Sequence, residues 1–180
     1  MRTVISVSLA FMIAVMLLLS SCGRATPPPS ASEVLSAMLT TAEATAQPIP
    51  DGVIRLTAAP EGSPNYLTET FFSALYGEAA RGLWGEGVTQ RPPIRDAALY
   101  LSVAPYPMEL GVFRCADEST AREVAVLCRK RLDTLSHGYG TEDASAIQGK
   151  GRVAVEGNWV LWVLCEDPTP VLEAARRLVG

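Results

Sequence analysis

A run of six apolar residues near the carboxyl-terminal end constrains the fold of this chain more than any other feature. It covers residues 159–164 and consists of Trp-Val-Leu-Trp-Val-Leu. Because successive side chains point to opposite faces of a strand, a strand of this composition is apolar on both faces and belongs at the centre of a sheet. Residues 152–156 and Gly157-Asn158 precede it, which is the pattern of a tight hairpin.

A second pair of strands is predicted upstream. Leu99, Leu101 and Val103 alternate with other residues in the first strand, and residues 108–115 form the second. The short proline-containing connection between them favours an antiparallel pair. A long amphipathic helix at 117–136 separates the two pairs, and Thr169-Pro170 opens a last helix that ends at about Val179.

Two short helices are predicted before the strands. Ser30 to Glu33 forms a capping box for a helix that runs to about Thr45, and Ser63-Pro64 begins another that Gly77 ends. Residues 53–56 form at most a short extended piece within a loop, and the stretch 82–95 is expected to be loop. The predicted fold class is α+β, with a four-stranded, mainly antiparallel sheet in ββαββα order, helices packed on it and two short helices before it.

The first residues have the pattern of an export signal. Arg2 is the only charge before Arg24, and residues 4–19 are almost wholly apolar. The run ends in Leu19-Ser20-Ser21-Cys22, which resembles the lipobox of bacterial lipoprotein precursors. That resemblance implies cleavage after Ser21 and a diacylglyceryl group on Cys22, which would hold the protein at the outer face of the cytoplasmic membrane. The alternative is an uncleaved membrane-spanning helix, since about 18 apolar residues can span a bilayer.

The predicted organisation has three parts. A signal peptide covers residues 1–21, the lipidated cysteine and a proline-rich tether cover 22–31, and a single domain covers 32–180. The chain is too short for the two lobes of a solute-binding lipoprotein. Its formal net charge is −4, which disfavours nucleic acid as a partner.

Three further cysteines, Cys115, Cys128 and Cys165, lie in the predicted domain. None belongs to a Cys-x-x-Cys pair, so a zinc site is unsupported. An odd number of cysteines permits at most one disulfide within the chain. We expect all three to act mainly as small core residues, and one disulfide is the alternative.

Several segments resemble a known family. The strand pair Ala98 to Cys115 with Glu109-Leu110-Gly111-Val112-Phe113, the charged helix after Asp117 and Val155-Glu156-Gly157-Asn158-Trp159-Val160 are similar to the Domain of Unknown Function 4358 family of small bacterial lipoproteins. The resemblance covers roughly Ser32 to the end. It implies the fold and the lipid anchor, and it supplies no catalytic residue. The glycine-rich stretch 82–87 departs from the more charged segment expected there.

Few residues are candidates for chemistry. His137 is the only histidine, and we expect it to complement the dipole at a helix end; an acid-base or metal cluster with Glu142 and Asp143 is the alternative. Glu109 opens a strand among apolar neighbours. We expect it to face solvent or an arginine such as Arg114 or Arg152, and a partly buried functional carboxylate is the alternative.

Aromatic residues supply the remaining candidates. Trp84, Tyr139 and Trp159, together with Glu109, are candidates for a ligand or partner surface, whereas Trp162 is expected in the core. No catalytic residue, metal ligand or cofactor site is assigned. The sequence favours a non-catalytic binding or accessory module of the cell envelope, whose partners are the lipid bilayer and another envelope protein. The alternative is an envelope enzyme that uses Glu109 or the His137–Asp143 loop.

Overall fold

The computed structural model describes residues 27–84, 93–102, 108–138 and 149–180. Its strands are β1 (Gly52–Leu56), β2 (Ile94–Ser102), β3 (Glu109–Cys115), β4 (Gly151–Glu156) and β5 (Trp159–Leu164). Its α-helices are α1 (Ala31–Ala44), α2 (Glu69–Tyr76), α3 (Arg81–Trp84), α4 (Glu118–Gly138) and α5 (Pro168–Val179), with a 3-10 turn at Glu78–Ala80.

The strands form one antiparallel sheet in the order β1-β2-β3-β5-β4. The predicted α+β class is therefore confirmed, but the predicted number of four strands is wrong. The additional strand is β1, where the sequence indicated at most a short extended piece. Its first three residues are exposed, so β1 is held mainly by backbone pairing with β2 and carries little of the hydrophobic alternation that predicts strands.

The apolar run of β5 lies inside the sheet, as predicted. All six of its residues are buried, and its neighbours are β3 on one side and β4 on the other. The hairpin turn between β4 and β5 is the predicted Gly157-Asn158, and Gly157 adopts a φ of +58°, which glycine tolerates without strain. Asn158 also donates its side-chain amide to the carbonyl of Cys115 at 2.9 Å, which ties the turn to the end of β3.

Helices cover both faces of the sheet. On one face α1 and α5 pack against each other and on β2 to β5, and on the other α4 packs on β3 to β5 with α2 beside it. Side chains buried on the first face include Val34, Met38, Leu110, Val112, Leu161 and Val171. Those on the second include Phe72, Leu99, Phe113, Val124, Val160 and Trp162. The result is a three-layer arrangement in which the central strands are dry on both sides.

The start of α1 is fixed to the sheet by a buried carboxylate. Asp96, at the beginning of β2, accepts a hydrogen bond from the backbone N–H of Ala31 at 2.8 Å and from the Thr57 hydroxyl at 3.0 Å. The predicted capping box of Ser30 and Glu33 is also present. Ala31 is wholly buried, so the packed part of the chain begins at least one residue before the predicted start of the domain at 32.

The second helix begins later than predicted. The expected start at Ser63-Pro64 is wrong, because α2 starts at Glu69 and is capped by the Thr68 hydroxyl, which accepts from the N–H of Phe71 at 3.1 Å. Residues 65–67 instead lie beside the end of β1, where Leu56 bonds to the backbone of both Asn65 and Leu67. Because these residues are hydrogen-bonded to the end of β1, they do not become part of the helix.

The stretch 82–95, expected to be loop, is regular at both ends. Residues 82–84 belong to α3 and residues 94–95 to β2, and residues 85–92 lie outside the described part. The predicted signal peptide, Ser21 and Cys22 also lie outside it. Within the described ranges, no helix combines the length and the apolar character that a membrane crossing requires.

Trp162 provides a test of this core. It is wholly buried opposite Gly111 of β3, where an added Cβ would lie 3.1 Å from the indole, so the glycine leaves space for the ring. In protein produced from Gly23 onward, Trp162→Ala should lower the free energy of unfolding by roughly 3 to 5 kcal/mol in urea denaturation. Val126→Ala, at a residue 47% exposed on α4, should change it by less than about 0.5 kcal/mol. A loss below about 1 kcal/mol for Trp162→Ala would contradict the arrangement.

Candidate functional site

A cavity opens where the chain enters the domain. It has a volume of about 640 Å³, and we call it the tether groove. Its lining consists of Pro27, Pro28, Pro29, Glu33, Trp159, Leu178, Val179 and Gly180. The groove therefore lies between the residues before α1, the end of α5 and the first residue of β5. It joins the residues that follow the predicted anchor to the opposite end of the sequence.

Hydrogen bonds at the start of α1 fix the part of the groove lining that Glu33 provides. The backbone N–H and the hydroxyl of Ser30 both lie 2.7 Å from a carboxylate oxygen of Glu33. These two bonds lower the pKa of Glu33, and the backbone bond has the larger effect. The first turn of α1 thus places a carboxylate at the rim, where its orientation is set by the cap of the helix.

Trp159 forms a wall of the tether groove and is not an exposed anchor. Only 5% of the residue is exposed, so it contributes to the groove as part of its lining. The guanidinium of Arg114 lies over the indole at 5.7 Å from its centroid, and Arg114 also lies 3.9 Å from the Asp96 carboxylate. Asp96, Arg114 and Trp159 therefore form a continuous row from the start of α1 to the groove.

Glu109 is buried on the other face of the sheet. It is 6% exposed and forms a two-point ion pair with Arg131 of α4, at 2.5 Å from Nη2 to Oε1 and 3.2 Å from Nε to Oε2. The sequence predicts that Glu109 faces solvent or an arginine such as Arg114 or Arg152; it does face an arginine, but the partner is Arg131. Arg114 lies on the opposite face with Asp96 and Trp159, and Arg152 donates to the carbonyls of Gly149 and Gly151.

A helical pattern in the sequence could have identified Arg131. It lies three residues after Cys128 and four before Leu135, on the stripe that faces the sheet. A charged residue on such a stripe indicates a buried partner, because an isolated buried charge is costly. Its partner could not be found in the same way, since Glu109 precedes it by 22 positions on another element.

Two further polar groups lie near this ion pair. The Tyr76 hydroxyl is buried and has no hydrogen-bond partner among the described residues. Burial raises the pKa of Tyr76 well above its usual value, and electrostatic interactions with Cys128 and Glu109 raise it further, while the Arg131 guanidinium lowers it. We call Glu109, Arg131, Tyr76 and Cys128 the buried polar cluster. The Glu109 carboxylate is paired with the Arg131 guanidinium, and burial favours the protonated forms of the phenol and the thiol.

The three described cysteines are buried and unbridged, as the core interpretation predicted. Burial raises the pKa of Cys115 and of Cys165 to about 12, and it raises that of Cys128 as well. Because the thiolate is the nucleophile and the metal ligand, these thiols are poorly suited to either role. The described residues contain no group of three or more histidine, cysteine, aspartate or glutamate side chains that could hold a metal ion.

Other candidates from the sequence lie partly or wholly outside the described residues. His137 falls in the last turn of α4, as predicted, but its side chain is outside the described part, as is that of Trp84 in α3. Tyr139, Glu142 and Asp143 lie outside it altogether. The aromatic surface proposed from these residues and Trp159 therefore stays a prediction.

An exposed apolar surface lies at the edge of the sheet. Ile49, Val53 and Ile54 are each exposed by more than a third of their area, and we call them the β1 surface. Among the described residues, nothing pairs with the outer side of β1 before Leu56, which bonds to Asn65 and Leu67. The start of β1 is clamped to β2, because the Tyr100 hydroxyl donates to the carbonyl of Pro50 and its ring leaves no space for a Cβ on Gly52.

Comparison with known proteins returned no match. No family model, curated protein or solved structure is similar to the chain. The resemblance to the Domain of Unknown Function 4358 family therefore stays a prediction, and the geometry of the described residues carries the functional argument.

The Glu109–Arg131 pair makes a quantitative prediction. Arg131→Met would leave the carboxylate buried without its cation, which should lower the free energy of unfolding by roughly 3 to 5 kcal/mol. Adding Glu109→Gln to that variant removes the remaining charge and should recover a large part of the loss. Lys150→Met, which breaks the more exposed pair with Glu166, should cost less than about 1 kcal/mol. Equal losses for Arg131→Met and Lys150→Met in urea denaturation would contradict the buried pair.

Proposed function

We propose that this chain is a lipid-anchored protein of the outer face of the bacterial cytoplasmic membrane, and that its domain works by binding another envelope protein. The lipobox-like Leu19-Ser20-Ser21-Cys22 supports the anchor. The β1 surface is the observation that carries the binding function. Exposed apolar side chains beside an open strand edge are suited to protein recognition.

The β1 surface offers two kinds of contact. The N–H and C=O groups of Leu56 point away from β2, so by the alternation of a strand those of Ile54 and Gly52 also point outward. An extended segment of a partner can hydrogen-bond to these groups, and the side chains of Val53 and Ile54 provide apolar contacts above and below it. Three of the five large apolar side chains that are exposed in the described part belong to this surface.

The two buried carboxylates support binding over catalysis, because both are occupied by hydrogen bonds within the domain. The Glu109 carboxylate is held at both oxygens by Arg131, and Asp96 is held by a helix N-terminus and a hydroxyl. Each therefore joins a helix or loop to the sheet. A catalytic carboxylate needs a free oxygen within reach of a substrate. The alternative, an envelope enzyme using Glu109, requires that Arg131 release it.

Lipidation is tested at Cys22. Cys22→Ala should abolish incorporation of labelled fatty acid and should retain residues 1–21, since the thiol that accepts the lipid is absent. Mass spectrometry of the wild-type protein should show a chain that begins at Cys22 with a diacylglyceryl group. Labelling that persists in Cys22→Ala, or a wild-type protein that keeps its first 21 residues, would show that the anchor is wrongly assigned.

Binding is tested by crosslinking at the β1 surface. A photo-activatable residue in place of Ile54 should form a specific crosslink to another envelope protein in native membranes, and one in place of Val126 should not. Both positions are apolar and exposed, but Val126 lies on α4, a helix, which offers no strand edge for pairing. The same adduct at both positions, or none at Ile54, would contradict the assigned surface. If Glu109→Gln abolishes the biological role at normal abundance while the crosslink at Ile54 persists, the enzyme alternative is favoured.

A further inference from the structure

The short tether limits how far the domain can move from its proposed anchor. Residues 23–26 are the only ones between Cys22 and Pro27, which already lines the tether groove. Even a fully extended chain would keep the Cα of Pro27 within about 18 Å of that of Cys22. The headgroup layer is roughly 5 to 7 Å thick on each side of a bilayer, so the groove lies close to it.

The attachment of the tether to the domain is firm. Pro29 and Ser30 are partly buried, Ala31 is wholly buried, and the N–H of Ala31 is bound to Asp96 at 2.8 Å. Asp96 belongs to β2, an inner strand of the sheet, so the point at which the chain leaves the domain is fixed relative to the sheet. The groove end of the domain is consequently the end that faces the anchor.

The surface around the groove has the chemistry of a membrane interface. Leu178 is 44% exposed in the last turn of α5, beside the exposed Pro27 and Pro28. Arg177 is exposed in the same turn and has no ion-pair partner among the described residues, whereas Arg176 is bound to Glu156 at 2.7 Å. Apolar side chains with an adjacent cation suit the boundary between headgroups and acyl chains. Glu33 is the acidic group of the lining, and its carboxylate is held by Ser30.

We infer that the groove end of the domain rests on the phospholipid headgroups, with Leu178 and Pro28 in contact with lipid and Arg177 facing lipid phosphate. This inference rests on the proposed lipidation of Cys22. The occupant is the bilayer surface itself, because the length of chain between Cys22 and the groove leaves the domain no position far from it.

This orientation also determines where the β1 surface lies relative to the membrane. Trp159 pairs with Arg114, and Arg114 pairs with Asp96, so the groove lies at the amino-terminal end of β2. Gly52 pairs with Ser102, at the other end of β2. Val53 and Ile54 pair with Leu101 and Tyr100, five and four residues along β2 from Asp96, which corresponds to about 13 to 17 Å of extended strand. The β1 surface therefore lies toward the end of the sheet opposite the groove, farther from the membrane, where an envelope protein can reach it.

Site-specific fluorescence tests the orientation. The lipidated full chain carrying Leu178→Cys is labelled with an environment-sensitive dye and reconstituted in phosphatidylcholine and phosphatidylglycerol vesicles that contain headgroup-labelled quencher lipids. Ile54→Cys, exposed to a similar extent at the far end of the sheet, is the matched control. Cys115, Cys128 and Cys165 are buried, so the dye should react at the introduced thiol.

We expect the dye at position 178 to shift its emission to shorter wavelength and to be quenched at least several-fold more than the dye at position 54. A second variant, Arg177→Glu, should reduce that quenching in vesicles rich in phosphatidylglycerol. Equal quenching at positions 178 and 54 in protein that floats with the vesicles would overturn the orientation alone. Protein that lacks the diacylglyceryl mass and does not float would instead overturn the proposed anchor, and the inference with it.

Discussion

Burial of β3 and β5 on both faces is the constraint on which the rest of the structure depends. Neither strand can face water on either side, so helices must cover the sheet twice, with α1 and α5 on one face and α2 and α4 on the other. Because α1 is one of these covers, the first helix after the proposed anchor is also part of the core. In the proposed function, the attachment to the membrane and the folding of the domain are therefore linked through a single element.

Two buried carboxylates join the layers. Asp96 lies on the face covered by α1 and accepts from the first turn of that helix, whereas Glu109 lies on the face covered by α4 and pairs with Arg131 of that helix. A carboxylate at a helix N-terminus contributes up to about 2 kcal/mol in partly buried geometries. A buried ion pair adds less net stability, but it makes any arrangement that separates the two charges costly. Each carboxylate thus favours one position of its helix over displaced alternatives.

The two ends of the sheet have different surfaces. One end carries the tether groove, with Trp159 as a wall and Leu178 at its edge, and the other carries the start of β1 with Val53 and Ile54 exposed. In the inferred orientation the first end meets lipid, and in the proposed function the second meets a protein. A short tether is consistent with this division, because a domain held close to the bilayer presents the same end to its partner at all times.

The sequence by itself determined those features that depend on neighbours along the chain. Three such features occur where expected: the doubly apolar run at 159–164, the Gly157-Asn158 turn and the capping box at Ser30. The first depends on a local preference for burial, the second on backbone conformation and the third on hydrogen bonding. Only the tertiary structure decided that β1 is a strand, that Arg131 pairs with Glu109 and that Trp159 forms the wall of a groove. The physical reason is that these features depend on contacts between elements far apart in the chain. β1 is stabilised by backbone bonds to a strand more than 40 positions away, and no side-chain pattern within it records that partner.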